Sequence, residues 1–186
     1  MASFSSNYLI PTEGLNYLMN IFPRGTVSLP SGTYMGLFTT TWLSGTTGIA
    51  YSGTANINLG SGTAGGSSYA VSEASFTGYA RQFIPSGSTY WPTVTSYQVG
   101  SNATLSGQQV TTNSGYLFTN SGTTTTVWGI FVANSGTAGV TTSGTGAPGT
   151  PTVVWYAPFS DLNAVTMASG DQITVTPVWQ FAPNAG

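Results

Sequence analysis

The segment Asp171-Gln172-Ile173-Thr174-Val175-Thr176-Pro177-Val178-Trp179-Gln180-Phe181 decides the fold class. Ile173, Val175, Pro177 and Trp179 alternate with Gln172, Thr174, Thr176 and Val178. That period of two gives one apolar face and one mostly polar face, the pattern of a half-buried β-strand. A strand of this kind must cover its apolar face with another layer.

Working backwards, the same β-branched and aromatic signature recurs. Strand candidates are Thr33 to Thr41, Ser75 to Ile84, Tyr90 to Val99, Gly115 to Thr119, Thr123 to Ala133 and Thr152 to Phe159, with weaker ones at Ala103 to Leu105 and Gln108 to Thr112. Pro92 and Pro177 fall inside such runs and mark an edge or a bulge, because proline cannot donate to a ladder. Between the runs lies turn chemistry. Ser-Gly-Thr occurs seven times and Asn-Ser-Gly three times, at Asn113, Asn120 and Asn134. Glycine accepts positive φ, and Asn and Ser bond their own backbone. Spacing of these tripeptides is irregular, which speaks for loops and against a solenoid.

Ahead of the strands the period changes. Thr12 reads as an N-cap. Leu15, Leu18, Met19 and Phe22 follow at i, i+3, i+4 and i+7, one face of a helix, and Pro23 stops it. The expected organisation is one domain of 186 residues: an arm over 1–11, a short helix over 12–22, and an antiparallel β-sandwich or jelly roll over 33–181 with long loops at 43–68 and 134–150. No run approaches the roughly 18 apolar residues of a membrane helix. The first residues lack a basic stretch followed by an apolar one, so no signal peptide is read there.

Charge is the second deciding feature. The chain has two Arg, four Asp or Glu, and no Lys, His or Cys, so 3% of it is charged, against roughly 25% in an ordinary soluble domain. Two arginines cannot neutralise a run of phosphates, so nucleic acid is not an expected partner. Zinc, copper and iron–sulfur sites need Cys or His. Calcium needs clustered oxygen ligands, and no D-x-D-like segment occurs. No cofactor is expected.

Catalysis is correspondingly short of parts, and no enzyme is expected. Ser and Thr supply 54 hydroxyls, but there is no His or Lys to activate one. The acid pair Asp161 and Asp171 would suit glycoside hydrolysis only if both faced one bond. Each follows a Ser or Gly in a turn-forming context, which explains both more simply. Asn102-Ala103-Thr104 is a chance sequon in a Thr-rich chain. Arg81, inside a strand pattern, needs an anion if buried. Glu73 or Asp171 is expected to supply it as a bidentate clamp. Tyr90 and Trp91 are adjacent in a strand pattern, so one should point outward as an aromatic platform.

Six blocks stand out: GLNYLMNIF (14–22), YMGLFTTTW (34–42), FTGYARQ (76–82), WGIFVA (128–133), VVWYAPF (153–159) and VTMASGDQITVTPVW (165–179). Together they resemble a group of tailed-bacteriophage virion proteins. Their order is similar to that of small jelly-roll capsid decoration or cement proteins. That resemblance implies a structural subunit on the exterior of the virion, made in the host bacterial cytoplasm. It would bind the major capsid protein and neighbouring copies of itself as dimers or trimers, with no membrane partner. Phe4, Tyr8 and Ile10 in the arm are the candidates for reaching an adjacent capsid subunit. The alternative is a head- or tail-fibre module that binds host glycans through its loops and Tyr90-Trp91.

Overall fold

In the computed structural model of the chain, the segment at 171–181 forms two strands, broken at Thr176-Pro177. The structure describes residues 10–25, 28, 30–40, 56–59, 68–98, 106–138, 150–159 and 163–181. One helix, α1 (Thr12–Ile21), precedes β1 (Gly32–Phe38), β2 (Asn56–Leu59), β3 (Ser68–Val71), β4 (Gln82–Pro85), β5 (Thr95–Gln98), β6 (Ser106–Thr111) and β7 (Tyr116–Thr119). Then come β8 (Thr125–Val127), β9 (Gly129–Ala133), β10 (Val153–Pro158), β11 (Val165–Met167), β12 (Gln172–Val175) and β13 (Val178–Phe181).

The architecture is all-β with one short helix. A four-stranded sheet runs β10-β9-β1-β4; a three-stranded sheet runs β13-β6-β5; β11 pairs with β8 and β12 with β7. All of these pairs are antiparallel. Met35, Leu37, Ile84, Ile130 and Val132 from the four-stranded sheet share one core with Phe118, Val127, Met167, Ile173 and Val175 from the facing strands. That is sheet-on-sheet packing, consistent with a sandwich.

Two long runs divide where the chain changes sheet. After Val175 the chain stops pairing with β7; Pro177 contributes only its carbonyl, to Thr112 N–H, and the chain then pairs with β6. Proline without an N–H suits such a break. Likewise Thr123 to Ala133 divides at Trp128, leaving β8 on β11 and β9 between β1 and β10. Every residue of β9 is buried. Ile130 and Val132 face the main core, whereas Phe131 and Ala133 join Phe38, Val71, Val153 and Tyr156 on the opposite face. An uninterrupted apolar run is what a strand covered on both faces requires.

Several expectations are corrected. The region at 43–68, read as a loop, contains β2, and it pairs parallel with β3. Ser75 to Ile84 is strand only from Gln82; a turn at Thr77-Gly78, with Gly78 at φ 88°, breaks the pattern. Tyr90 to Val99 is strand only from Thr95, so Pro92 lies in the irregular segment between the turn at 88–90 and β5. Val165–Met167 is a further strand, β11, that is absent from the strand candidates above. Ala103 to Leu105 lies outside the described residues.

The helix carries the largest reversal. Pro11, at φ −67° and ψ 161°, occupies the N-cap position in place of Thr12 and makes no side-chain cap hydrogen bond. Its inward face is Glu13, Gly14, Tyr17, Asn20 and Ile21, while Leu15, Met19 and Phe22 point outward. Backbone approach fixes this orientation. A Cβ on Gly14 would collide with the Val153 and Val154 carbonyls of β10. The ladder of β10 on β9 shifts register between Val153 and Trp155, as a bulge does. At this bulge the Glu13 carboxylate accepts the Val153 N–H at 3.1 Å. The helix thus covers an exposed sheet edge, one of the ways natural folds protect edges.

Candidate functional site

The most organised polar constellation lies at the side of β1. Beyond β3, Glu73 bridges to Phe38, and the Thr39 N–H to Ser72 O and Ala74 N–H to Leu37 O bonds lash 72–74 to the end of β1. Eight residues after Ala74 the chain returns to β1 as β4, with Gln82 opposite Met35. Glu73 and Arg81 therefore sit at the two ends of one excursion and meet.

Their contact is bidentate. Arg81 Nε donates to Glu73 Oε1 at 2.8 Å and Nη2 donates to Oε2 at 2.8 Å. Nη1 donates to the Ser135 carbonyl at 2.6 Å, tying in the chain just beyond β9. The guanidinium carbon lies 5.1 Å from the centroid of Phe131, within reach of a cation–π interaction. Side-chain exposure is 0% for Arg81 and 6% for Glu73. Water cannot substitute for either partner, so the matched fork geometry matters here.

Tyr79 completes the group. Its hydroxyl donates to Glu73 Oε1 at 2.8 Å and accepts the Leu37 N–H at 3.1 Å. Gly36 makes room, because a Cβ there would strike the Tyr79 hydroxyl and the Phe131 ring. Burial raises the Tyr79 pKa well above the ordinary phenol value, and the Glu73 charge and hydrogen bond add to that. The Leu37 N–H and the Arg81 charge act in the opposite direction. On the same face the Tyr156 hydroxyl is fully buried and has no hydrogen-bond partner among the described residues. Burial and the Glu13 charge push its pKa up as well, with Arg81 opposing. Nothing in this group presents an open nucleophile or an acid to a substrate. It is a buried fastening between segments.

Asp171 is elsewhere. Its carboxylate accepts the Ala168 N–H at 2.7 Å across the Ser169-Gly170 turn, so the structure brings Arg81 to Glu73 and not to Asp171. Arg81 itself lies immediately before β4, not within a strand. Asp161, the other half of the acid pair, lies outside the described residues. Among the described residues, no group of three or more His, Cys, Asp or Glu side chains is placed to hold a metal.

Tyr90 and Trp91 fall in the turn after β4, because the strand they were assigned to begins only at Thr95. Tyr90 is exposed, but Trp91 is half-buried against the core and donates its indole N–H to the Pro85 carbonyl at 3.0 Å. The two do not form a joint platform. Of the arm residues, Phe4 and Tyr8 lie outside the described residues, and Ile10 packs against the protein's own core.

Two features escaped the sequence reading. Tyr79 gave no signal as a clamp member, since its role depends on Gly36 and Glu73 being brought beneath it. Glu13 looked like an ordinary acid in a first helical turn, yet it is 1% exposed and bonded to a sheet edge. No family model matches the chain, and no curated protein matches its sequence.

Proposed function

We propose that this chain is a structural virion protein of a tailed bacteriophage: a capsid decoration or cement subunit on the exterior of the shell. It binds the major capsid protein and neighbouring copies through non-ionic contacts, without catalysis or a cofactor, and its sandwich takes the jelly-roll form. The observation that supports this reading is where the charges go. Glu13 and Arg81 are buried and Glu73 is fastened to Arg81, which leaves Arg24 and Asp171 as the exposed charges among the described residues. A free-standing domain normally keeps about a quarter to a third of its surface charged for solubility. A surface this neutral suits permanent cover by other subunits. The block resemblance to decoration proteins supports the same role.

The test is co-sedimentation with expanded shells that lack the subunit. Binding should be saturable at hundreds of copies per particle. It should be almost unchanged from low salt to about 1 M NaCl, where the Debye length falls to about 3 Å. Steep release by salt, or no binding, overturns the proposal. Removing residues 1–9, which spares Ile10 and its core contact, should abolish binding while leaving the fold intact. Exposed Tyr90 favours a second reading, a fibre module that binds host glycans. A handful of copies per particle would select it.

A further inference from the structure

From the outward face of α1 we infer that two copies of this chain pair through that helix, packed antiparallel across a two-fold axis at Met19. The observation is the reversed amphipathicity of the helix. Leu15, Met19 and Phe22 are 50%, 56% and 70% exposed, while Glu13 and Asn20 are buried beneath them. Leu15, Met19 and Phe22 stand at i, i+4 and i+7 and form one straight stripe. Three large side chains are aligned on the solvent side of a helix whose inward orientation is fixed by Gly14 and Glu13. Rolling the helix to bury them would break the approach to β10.

A second copy fits this stripe on three grounds. The first is self-complementarity. With Met19 at the axis, Leu15 of each helix meets the partner's Phe22, so the same patch serves both sides, as a closed two-fold contact requires. The second is charge. Bringing identical surfaces together sets like charges against one another, yet among the described residues this face carries none. Arg24 lies beyond its end, with its guanidinium bonded to Asn20 Oδ1 at 2.8 Å, and antiparallel packing sends the two Arg24 residues to opposite ends. The third is area. The three residues leave roughly 350 Å² exposed, within the size range of the largest apolar patch on a typical monomer, which is often functional. Asn16, Leu18 and Pro23 flank them and bring the pair to about 1,000 Å² in total, the lower limit for a specific interface. The dimer should therefore be reversible, and many such contacts on one particle would act together.

The pairing deepens the proposed role by naming the face that joins copies. It is tested on free protein, so failure to pair and failure to bind shells are read separately. Sedimentation velocity should show a monomer–dimer equilibrium between about 1 and 500 μM, and Met19→Glu should weaken it by at least about tenfold. The chain has no cysteine, which permits a geometric test. Helices packed about 8–10 Å apart bring facing Cα atoms to roughly 5 Å, within disulfide range. Met19→Cys should form a linked dimer on mild oxidation, and Thr174→Cys, exposed on β12, should not. The inference is overturned if the wild type stays monomeric throughout or forms a trimer. Undiminished dimer in Met19→Glu, or equal cross-linking of the two cysteine variants, also overturns it. Circular dichroism confirms that each variant is folded, as expected at exposed positions.

Discussion

Arg81→Met isolates the contribution of the clamp. The substitution keeps most of the side-chain volume and removes the guanidinium from a site where it is fully enclosed. Glu73 then loses both charged donors and keeps the Tyr79 hydroxyl; the Ser135 carbonyl also loses its donor. Breaking a buried pair from one side costs about 3–5 kcal/mol, because an uncompensated charge remains inside. No solvent discount applies at exposures of 0% and 6%. For a chain of 186 residues, that loss lowers the melting temperature by roughly 10 °C or more. Urea unfolding followed by tryptophan fluorescence gives the free energy directly. Glu73→Leu should cost a similar amount. The double variant should cost at least about 2 kcal/mol less than the sum of the two, since no lone charge is left behind. Arg81→Lys should fall between wild type and Arg81→Met, because an ammonium cannot span both carboxylate oxygens and the carbonyl. A loss under about 1 kcal/mol for Arg81→Met, or strict additivity in the double variant, would refute the reasoning.

Three further outcomes are expected. Glu13→Ala strands the buried Val153 N–H and should cost about 1–3 kcal/mol, with Glu13→Gln recovering most of it; urea titration checks both. Asn120 is fully buried, donates to the Thr123 and Met167 carbonyls and accepts the Gly122 N–H, so Asn120→Ala should cost about 2–4 kcal/mol on the same assay. Alkaline pH should destabilise the fold. Tyr79 and Tyr156 both have raised pKa values in the folded state, so their contribution is complete below the unfolded value near 10. It is lost as pH rises from there toward the folded values, because the unfolded chain releases its phenolic protons first. The urea midpoint should begin to fall near pH 10, and in Tyr79→Phe it should fall less.

Legibility in the sequence followed how local each cause is. Ile173 and Val175 face inward and Gln172 and Thr174 outward, as alternation requires, because a strand's two faces are set by adjacent residues. Thr123 to Ala133 was recognisable as strand but not as two, since the break at Trp128 depends on which partners lie alongside. Arg81 announced its need for an anion through scarcity: only four carboxylates exist in the chain. Which of them answered was decided by the return of the chain to β1, which no local pattern records. The helix was found from its apolar period and then misplaced by it. Periodicity identifies the stripe of Leu15, Met19 and Phe22, but the face that docks was chosen by a backbone approach at Gly14 and a hydrogen bond from Val153.

Charge scarcity and the reversed helix have a common physical consequence. In an ordinary domain, ionised groups sit in water and apolar groups sit inside, so partner surfaces are distinguished by charge pattern. Here the order is inverted at two places. Glu73 and Arg81 neutralise each other inside the fold, and Glu13 is enclosed against a strand edge. Leu15, Met19 and Phe22 are left in water. Buried ion pairs contribute little net stability against an apolar replacement, so the clamp is not there to make the core stronger. What it does is remove two charges from the surface while fixing the 72–82 excursion and the chain at Ser135 against β1. Contacts made by the remaining described surface, whose exposed charges are Arg24 and Asp171, draw mainly on apolar area and neutral hydrogen bonds. Such contacts lack long-range steering, so they form slowly and discriminate by shape. They also do not weaken as salt rises.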